Sequence, residues 1–273
     1  MRERLKALLG PMRCSGMAAV LDEELDRAER QGTPLPEVLF RLFRAQDAAR
    51  REKSLAYRLS QAHLPWPWTL QSFPFARQPS ANKAQVTTLA GLEFLRRGEN
   101  VLLIGPPGTG KSGIAVGLLR EACLNGYRAR FYNAQALLDA LYASLADRST
   151  TGLLNQLCRM PLIAIDELGY LNLKPEQINA FFRLMDQRYS LGLSTLITTN
   201  LDLPGWYELF QRKPLVDALL DRLQHRCIIL RMSGPSLRSE PGSAPAITTA
   251  ASVAAAKRSA SRNVAPTDES AAS

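Results

Sequence analysis

The sequence has few of the side chains that hold soft metals. Among 273 residues there are two histidines, His63 and His225, and four cysteines, Cys14, Cys123, Cys158 and Cys227. No two cysteines stand in a CxxC pair, so the pattern argues against a zinc site and predicts buried, reduced thiols. Long apolar runs are missing too: none approaches the roughly eighteen residues that a membrane-spanning helix requires. The opening MRERLKALLGPMRCSGM is too charged and too briefly apolar for a secretory signal. These absences predict a cytoplasmic protein with no membrane partner. The last 35 residues, 239–273, contain no Leu, Phe, Met, Tyr or Trp, against 11 Ala and 7 Ser. So little large apolar surface cannot offset the entropy of ordering, and a disordered tail is expected there.

What is present suffices for a folded core, since 46% of residues are hydrophobic. The formal net charge is +9. Residues 1–80 carry 13 basic and 9 acidic side chains, residues 81–238 carry 18 and 13, and the tail carries three of each. The excess is shared by both folded parts and suits a polyanionic partner without identifying one.

Residues 1–65 read as a small helical domain. Met17, Val20, Leu21 and Leu25 keep the spacing of one apolar helix face, and Gly32-Thr33-Pro34 ends that helix. A second helical pattern runs from Leu35 to Ala62, with Leu39, Leu42 and Phe43 expected inward. The prolines of HLPWPWTLQSFPF, residues 63–75, forbid a continuous helix, so 66–83 reads as a connector. Its stretch from Thr69 to Phe75 is expected to lie against the next domain. Over 84–238 short apolar runs alternate with helical stretches: VLLIG (101–105), RARFYN (128–133), LIAID (162–166), STLITTN (194–200) and CIILR (227–231). That alternation predicts an α/β domain with a parallel sheet covered on both faces.

Residues 105–112, GPPGTGKS, form a complete P-loop, GxxxxGK[ST], directly after a predicted strand and opening a predicted helix. Gly105, Gly108 and Gly110, with Pro106, Pro107 and Thr109 between them, let the backbone turn its N–H groups toward phosphate oxygens. The following helix N-terminus, from Lys111 through Ser112 and Gly113, adds its dipole. Lys111 is the residue to reach the β- and γ-phosphates of ATP, and Ser112 the one to ligate Mg²⁺. LIAIDELG, 162–169, ends four apolar residues in two carboxylates at a strand tip. Asp166 is expected in the Mg²⁺ shell and Glu167 at the attacking water. Asn200, at the end of STLITTN, is a second polar group able to orient that water. Arg222 and Arg226 lie one helical turn apart in DALLDRLQHR.

Together these residues resemble the IstB-like family, the AAA+ ATPases encoded beside the transposase in certain bacterial insertion sequences. The resemblance covers roughly residues 5–238 and rests on GPPGTGKS, IDELGYLNL (165–173), ITTN, DRLQHR and SFPF. DnaC-type helicase loaders are similar in architecture. The resemblance implies an AAA+ P-loop NTPase core with five parallel strands ordered 5-1-4-3-2, behind the helical N-terminal domain. It implies an arginine-finger role for Arg222, acting on a neighbouring subunit's ATP, and a sensor role for Asn200. Arg238 stands where the family usually ends a Ser-Tyr-Arg string near the nucleotide, although Leu237 replaces the tyrosine here. Ser112-Gly113 likewise stands where the family commonly has Thr-His. Serine supplies the same hydroxyl, whereas Gly113 lowers helix propensity in the first turn.

The function implied is an ATP-dependent oligomer that assembles on double-stranded DNA and activates a partner transposase. A helicase loader gripping single-stranded DNA is the alternative, and a nucleotide-dependent adaptor without DNA a third. Two further expectations bear on that choice. Arg44, Arg51 and Arg58 recur every seven residues in the second helix, with Arg41 one turn before. They form a stripe that can follow DNA phosphates or simply be solvated. The sequence also offers no obvious arginine to complete the γ-phosphate shell in cis.

Overall fold

The computed structural model describes residues 1–169 and 171–238; Tyr170 and the expected tail at 239–273 lie outside the described residues. The chain divides after Ser236, and Met1–Ser236 form one compact unit. Arg238 lies beyond that division.

Three helices open the chain: α1 (Arg2–Leu9), α2 (Ser15–Gln31) and α3 (Leu35–Gln61). Gly32 ends α2 in the left-handed conformation, φ 60°, and Pro36 stands in the first turn of α3. Met17 and Leu21 of α2 meet Val38 and Leu42 of α3 in a small separate core. The helices touch closely because Gly16 lacks a side chain: a Cβ there would sit 2.7 Å from the Ala45 carbonyl. Buried Gln46 then completes the joint, its Oε1 accepting from the Gly16 and Met17 amides. The inward face of α3 is thus Val38, Leu42 and Gln46. Leu39 and Phe43, expected inward, are exposed. Apolar residues surround the first turns of α3, so their spacing leaves the buried face open.

After α4 (Lys83–Ala90) and α5 (Glu93–Arg97), the five strands fall where the apolar runs predict: β1 (Asn100–Ile104), β2 (Ala129–Asn133), β3 (Leu162–Asp166), β4 (Ser194–Thr199) and β5 (Cys227–Arg231). All pair in parallel, in the order β2-β3-β4-β1-β5. Read from the other edge, this is the expected 5-1-4-3-2. β1, β3 and β4 are buried along their whole length, as strands covered on both faces must be.

One face carries α6 (Lys111–Leu124). The other carries α7 (Ala134–Ala146), α8 (Thr150–Cys158), α9 (Pro175–Ser190), α10 (Gly205–Phe210) and α11 (Lys213–His225). That second face is a continuous core running from Leu102, Ile163, Ile165 and Ile197 to Phe181, Phe210 and Trp206. From β1 the chain crosses to β2, and from β4 it crosses the other way to β5. The switch point therefore lies at the carboxyl ends of β1 and β4, where parallel sheets bind ligands.

Among the described residues no helix is long and apolar enough to cross a membrane. All four cysteines are free, but only Cys123 is fully buried; Cys14, Cys158 and Cys227 are partly exposed. The expectation of four buried thiols holds for one. Burial nonetheless raises the Cys123 and Cys158 thiols and pushes Cys227 up to about 12.

Candidate nucleotide site

Three adjacent strands deliver the chemistry. β1 ends in the P-loop, β3 in Asp166-Glu167 and β4 in Asn200, and these strands are neighbours in the sheet. Gly108 and Gly110 turn the loop with φ of 82° and 93°, values a side chain would strain. The loop also has no room behind it. A Cβ at Gly105 would lie 2.1 Å from the Met232 carbonyl, and one at Gly108 2.0 Å from the Ser236 hydroxyl. Buried Thr109 donates its hydroxyl to the Pro106 carbonyl at 2.9 Å. Lys111 donates to the carbonyls of Gly105, at 2.6 Å, and Pro106, at 2.8 Å. The ammonium thus sits over the loop, and α6 begins at Lys111, aiming its first amides the same way.

Asp166 is 4% exposed. Thr198 of β4 donates to it at 2.6 Å, and Ser112 also hydrogen-bonds to it. Its pKa is raised above the ordinary carboxylate value because burial disfavours the charge and Glu167 repels it; the Thr198 and Ser112 hydroxyls and Lys111 offset part of this. A buried carboxylate, a hydroxyl pointing at it and a second carboxylate beside it form a hard-oxygen set. Among the described residues no three His, Cys, Asp or Glu side chains cluster as a metal site. A sparse oxygen set of this kind fits Mg²⁺, which takes one or two protein ligands and completes its shell with phosphates and water.

Glu167 has φ 63°, rare for a residue with a side chain. Its amide donates to the Thr198 hydroxyl at 2.9 Å. Thr198 therefore holds both carboxylate residues at once. The exposed Glu167 carboxylate lies 3.4 Å from the Asn133 amide nitrogen, while the other end of Asn133 caps α7. Asn200 hangs over the turn that follows Glu167: a Cβ at Gly169 would lie 2.1 Å from its Oδ1. A cleft of about 520 Å³ opens beside the loop, lined by Gly105, Pro106, Pro107, Asn200, Asp202 and Arg231 among others.

The sequence gives little sign of several of these residues. Thr198 left a faint signal, hydroxyls at the tip of an otherwise apolar buried strand. Gln78 left none. It is fully buried in the connector, donates to the Thr109 carbonyl of the P-loop at 3.2 Å and to the Pro235 carbonyl at 3.3 Å, and accepts from Ser80. Gly113 gains a role it lacked. A Cβ there would lie 2.4 Å from the Trp68 ring, and one at Gly117, a turn later, 2.5 Å from Leu70. The two glycines form a notch in which the connector seats Trp68 and Leu70. The Gly113 side-chain position faces this strap, not the phosphates.

The residues brought together are Lys111, Ser112, Asp166, Glu167 and Asn200. Arg222 and Arg226 stand apart. Arg226 precedes β5 and its carbonyl accepts from Asn100 at the start of β1, the end of the sheet opposite the P-loop. Arg222 pairs with Asp186 at 2.8 Å and lies over the Tyr189 ring. The α3 stripe is uneven as well. Arg41 pairs with Glu37 and Glu24, and Arg51 with Asp47. Arg58 turns to the sheet domain, donating to the Cys123 carbonyl of α6 at 2.8 Å. Arg44 is exposed.

Comparison with known proteins agrees with this geometry. The family of IstB-like ATP binding proteins matches residues 7–244. This chain belongs to that family. It is 33% identical to an ATP-binding protein of insertion sequence IS21 from Pseudomonas aeruginosa, over 86% of this chain and 88% of that protein. It is 30% identical to one of insertion sequence IS5376 from Geobacillus stearothermophilus, over 87% of this chain and 94% of that protein. Among solved structures its fold is similar to a DnaC helicase loader, with TM-score 0.53 and 22% identity over 61% of this chain and 97% of that one. It is similar also to the replication initiator DnaA bound to AMPPCP and single-stranded DNA, with TM-score 0.53 and 19% identity over 63% of this chain and 52% of that one. The IstB-like chain is therefore an ATP-binding protein with an AAA+ P-loop fold.

Proposed function

We propose that this chain hydrolyses ATP with Mg²⁺ in the cytoplasm, assembles as an ATP-dependent oligomer on double-stranded DNA, and activates a partner transposase. The observation that carries the reading is the meeting of Lys111, Ser112, Asp166, Glu167 and Asn200 at the carboxyl ends of three neighbouring strands. Its insertion-sequence relatives supply the biological setting.

Gly105 to Ser112 bind the phosphates through loop amides, the α6 N-terminus and the Lys111 ammonium. Ser112 and Asp166 hold Mg²⁺, which neutralises phosphate charge when bound. Glu167, fixed by Thr198 and Asn133, accepts the proton of the attacking water, and Asn200 orients that water. Arg222 completes a neighbouring subunit's site. Duplex DNA meets α3 through Arg44 and Arg51, with Arg41 beside them; Arg58 joins α3 to the core as well as extending the stripe.

The test is steady-state ATP turnover with no DNA, with duplex and with single-stranded oligonucleotides. Stimulation by duplex above single strands supports the reading. Stimulation by single strands alone favours a helicase loader, and indifference to both favours an adaptor without DNA.

A further inference from the structure

We infer that Arg231 is a second arginine of the ATP site, acting in cis on the terminal phosphate and held ready by Asp202. This rests on the ATPase reading and adds to it a residue that the sequence gives no reason to choose, since CIILR looks like an ordinary strand end.

The backbone fixes Arg231 to the root of the P-loop. It pairs in register with Ile104, the last residue before the loop. The next amide, of Met232, donates to the Ile104 carbonyl at 2.7 Å, and the Met232 carbonyl fills the space where a Gly105 side chain would be. The side chain lines the same cleft as Gly105, Pro106, Pro107 and Asn200. An arginine in the cleft therefore shares its walls with the loop and with the polar tip of β4. It is a cis candidate where the sequence alone offers no obvious one.

Arg231 is not idle there. It pairs with Asp202, two residues beyond Asn200, and the two side chains are 61% and 66% exposed. So exposed a pair contributes little to stability and opens at little cost. A guanidinium keeps its charge at any physiological pH and matches phosphate oxygens two at a time. A terminal phosphate entering the cleft offers more charge than one carboxylate and draws Arg231 away from Asp202. Asp202 keeps the arginine in the cleft until then and competes with the phosphate, so it sets the preference for ATP over ADP.

The experiment is titration of the full chain with fluorescent ATP and ADP analogues. Arg231→Ala is expected to lose about tenfold in ATP affinity, the effect of one charge-assisted hydrogen bond. Its ADP affinity is expected to stay within about twofold, because a group that reaches only the terminal phosphate leaves ADP unchanged. Arg231→Lys recovers part of the loss. Asp202→Asn raises the ATP-over-ADP preference, and the gain disappears in Asp202→Asn/Arg231→Ala. Equal losses for ATP and ADP, or unchanged ATP affinity in Arg231→Ala beside a wild type that binds both nucleotides, overturn the assignment alone. A wild type that binds neither nucleotide overturns the ATPase reading and the assignment with it.

Discussion

Asp166 shows at the scale of one residue how this site trades stability for chemistry. Its carboxyl group titrates above its ordinary value because burial penalises the charged form. The folded state thus holds the proton more tightly than the unfolded chain does. The stability this gives is present below the unfolded value and is lost as pH rises through the folded one. At neutral pH the buried charge therefore works against the fold. Asp166→Asn is expected to raise the melting temperature of the nucleotide-free chain at pH 7.5, with the gain shrinking as pH falls toward 4, while Mg²⁺-dependent ATP turnover is lost. Melting curves at the two pH values check the sign. A lower melting temperature for the variant at pH 7.5 would mean that the hydrogen bonds from Thr198 and Ser112 outweigh burial.

The connector shows the same balance at the scale of elements. A glycine costs a helix interior about 1 kcal/mol relative to alanine, yet α6 keeps two, at Gly113 and Gly117, facing Trp68 and Leu70. Gly113→Ala regains that propensity but drives a Cβ into the Trp68 ring, an overpacking cost of roughly 1–3 kcal/mol. The net expectation is destabilisation by about 1 kcal/mol, relieved or reversed in a Trp68→Ala background. A double-mutant cycle by denaturant unfolding measures the coupling, and additive effects would show that strap and helix do not press on each other.

On α3, replacing Arg44 and Arg51 by Ala should flatten the slope of log DNA affinity against log salt by about one unit per lost phosphate contact. An unchanged slope would put the DNA surface on the sheet domain. Five strands and the P-loop were legible in the sequence because short apolar runs and fixed glycines are local signals. The inward face of α3 was not, since Leu35, Val38, Leu39, Phe40, Leu42 and Phe43 leave no single apolar stripe. Gln78 and Trp68 were beyond reach for another reason: their partners, Thr109 and Gly113, are more than thirty residues away. Arg231 was hidden because the expected strand order sets β5 beside β1 but does not give the register, which puts Arg231 opposite Ile104 at the root of the loop.

At the scale of the whole molecule the question is how many subunits make one site. Arg222 belongs to α11, which leads into the amino end of β5, while the P-loop follows the carboxyl end of β1. Under the proposed reading Arg222 serves another subunit's ATP; within the single chain it pairs with Asp186. Lys111→Ala and Arg222→Ala subunits are each expected to be nearly inactive. Mixed, they can form interfaces that join an intact Lys111 to an intact Arg222, and turnover should partly return. No recovery from co-assembled subunits would assign Arg222 to assembly alone.

The central claim is that ATP held by this P-loop, and hydrolysed through Glu167, governs assembly on DNA. Sedimentation of the chain on duplex DNA with Mg²⁺ and ATP tests it most directly, using two variants with opposite expected fates. Glu167→Gln should bind ATP, turn over at well under a third of the wild-type rate, and sediment as a large complex that persists. Lys111→Ala should sediment as the nucleotide-free chain does. If the two variants sediment alike, or if Glu167→Gln hydrolyses ATP within about threefold of wild type, a barrier change under ~1 kcal/mol, the account is contradicted.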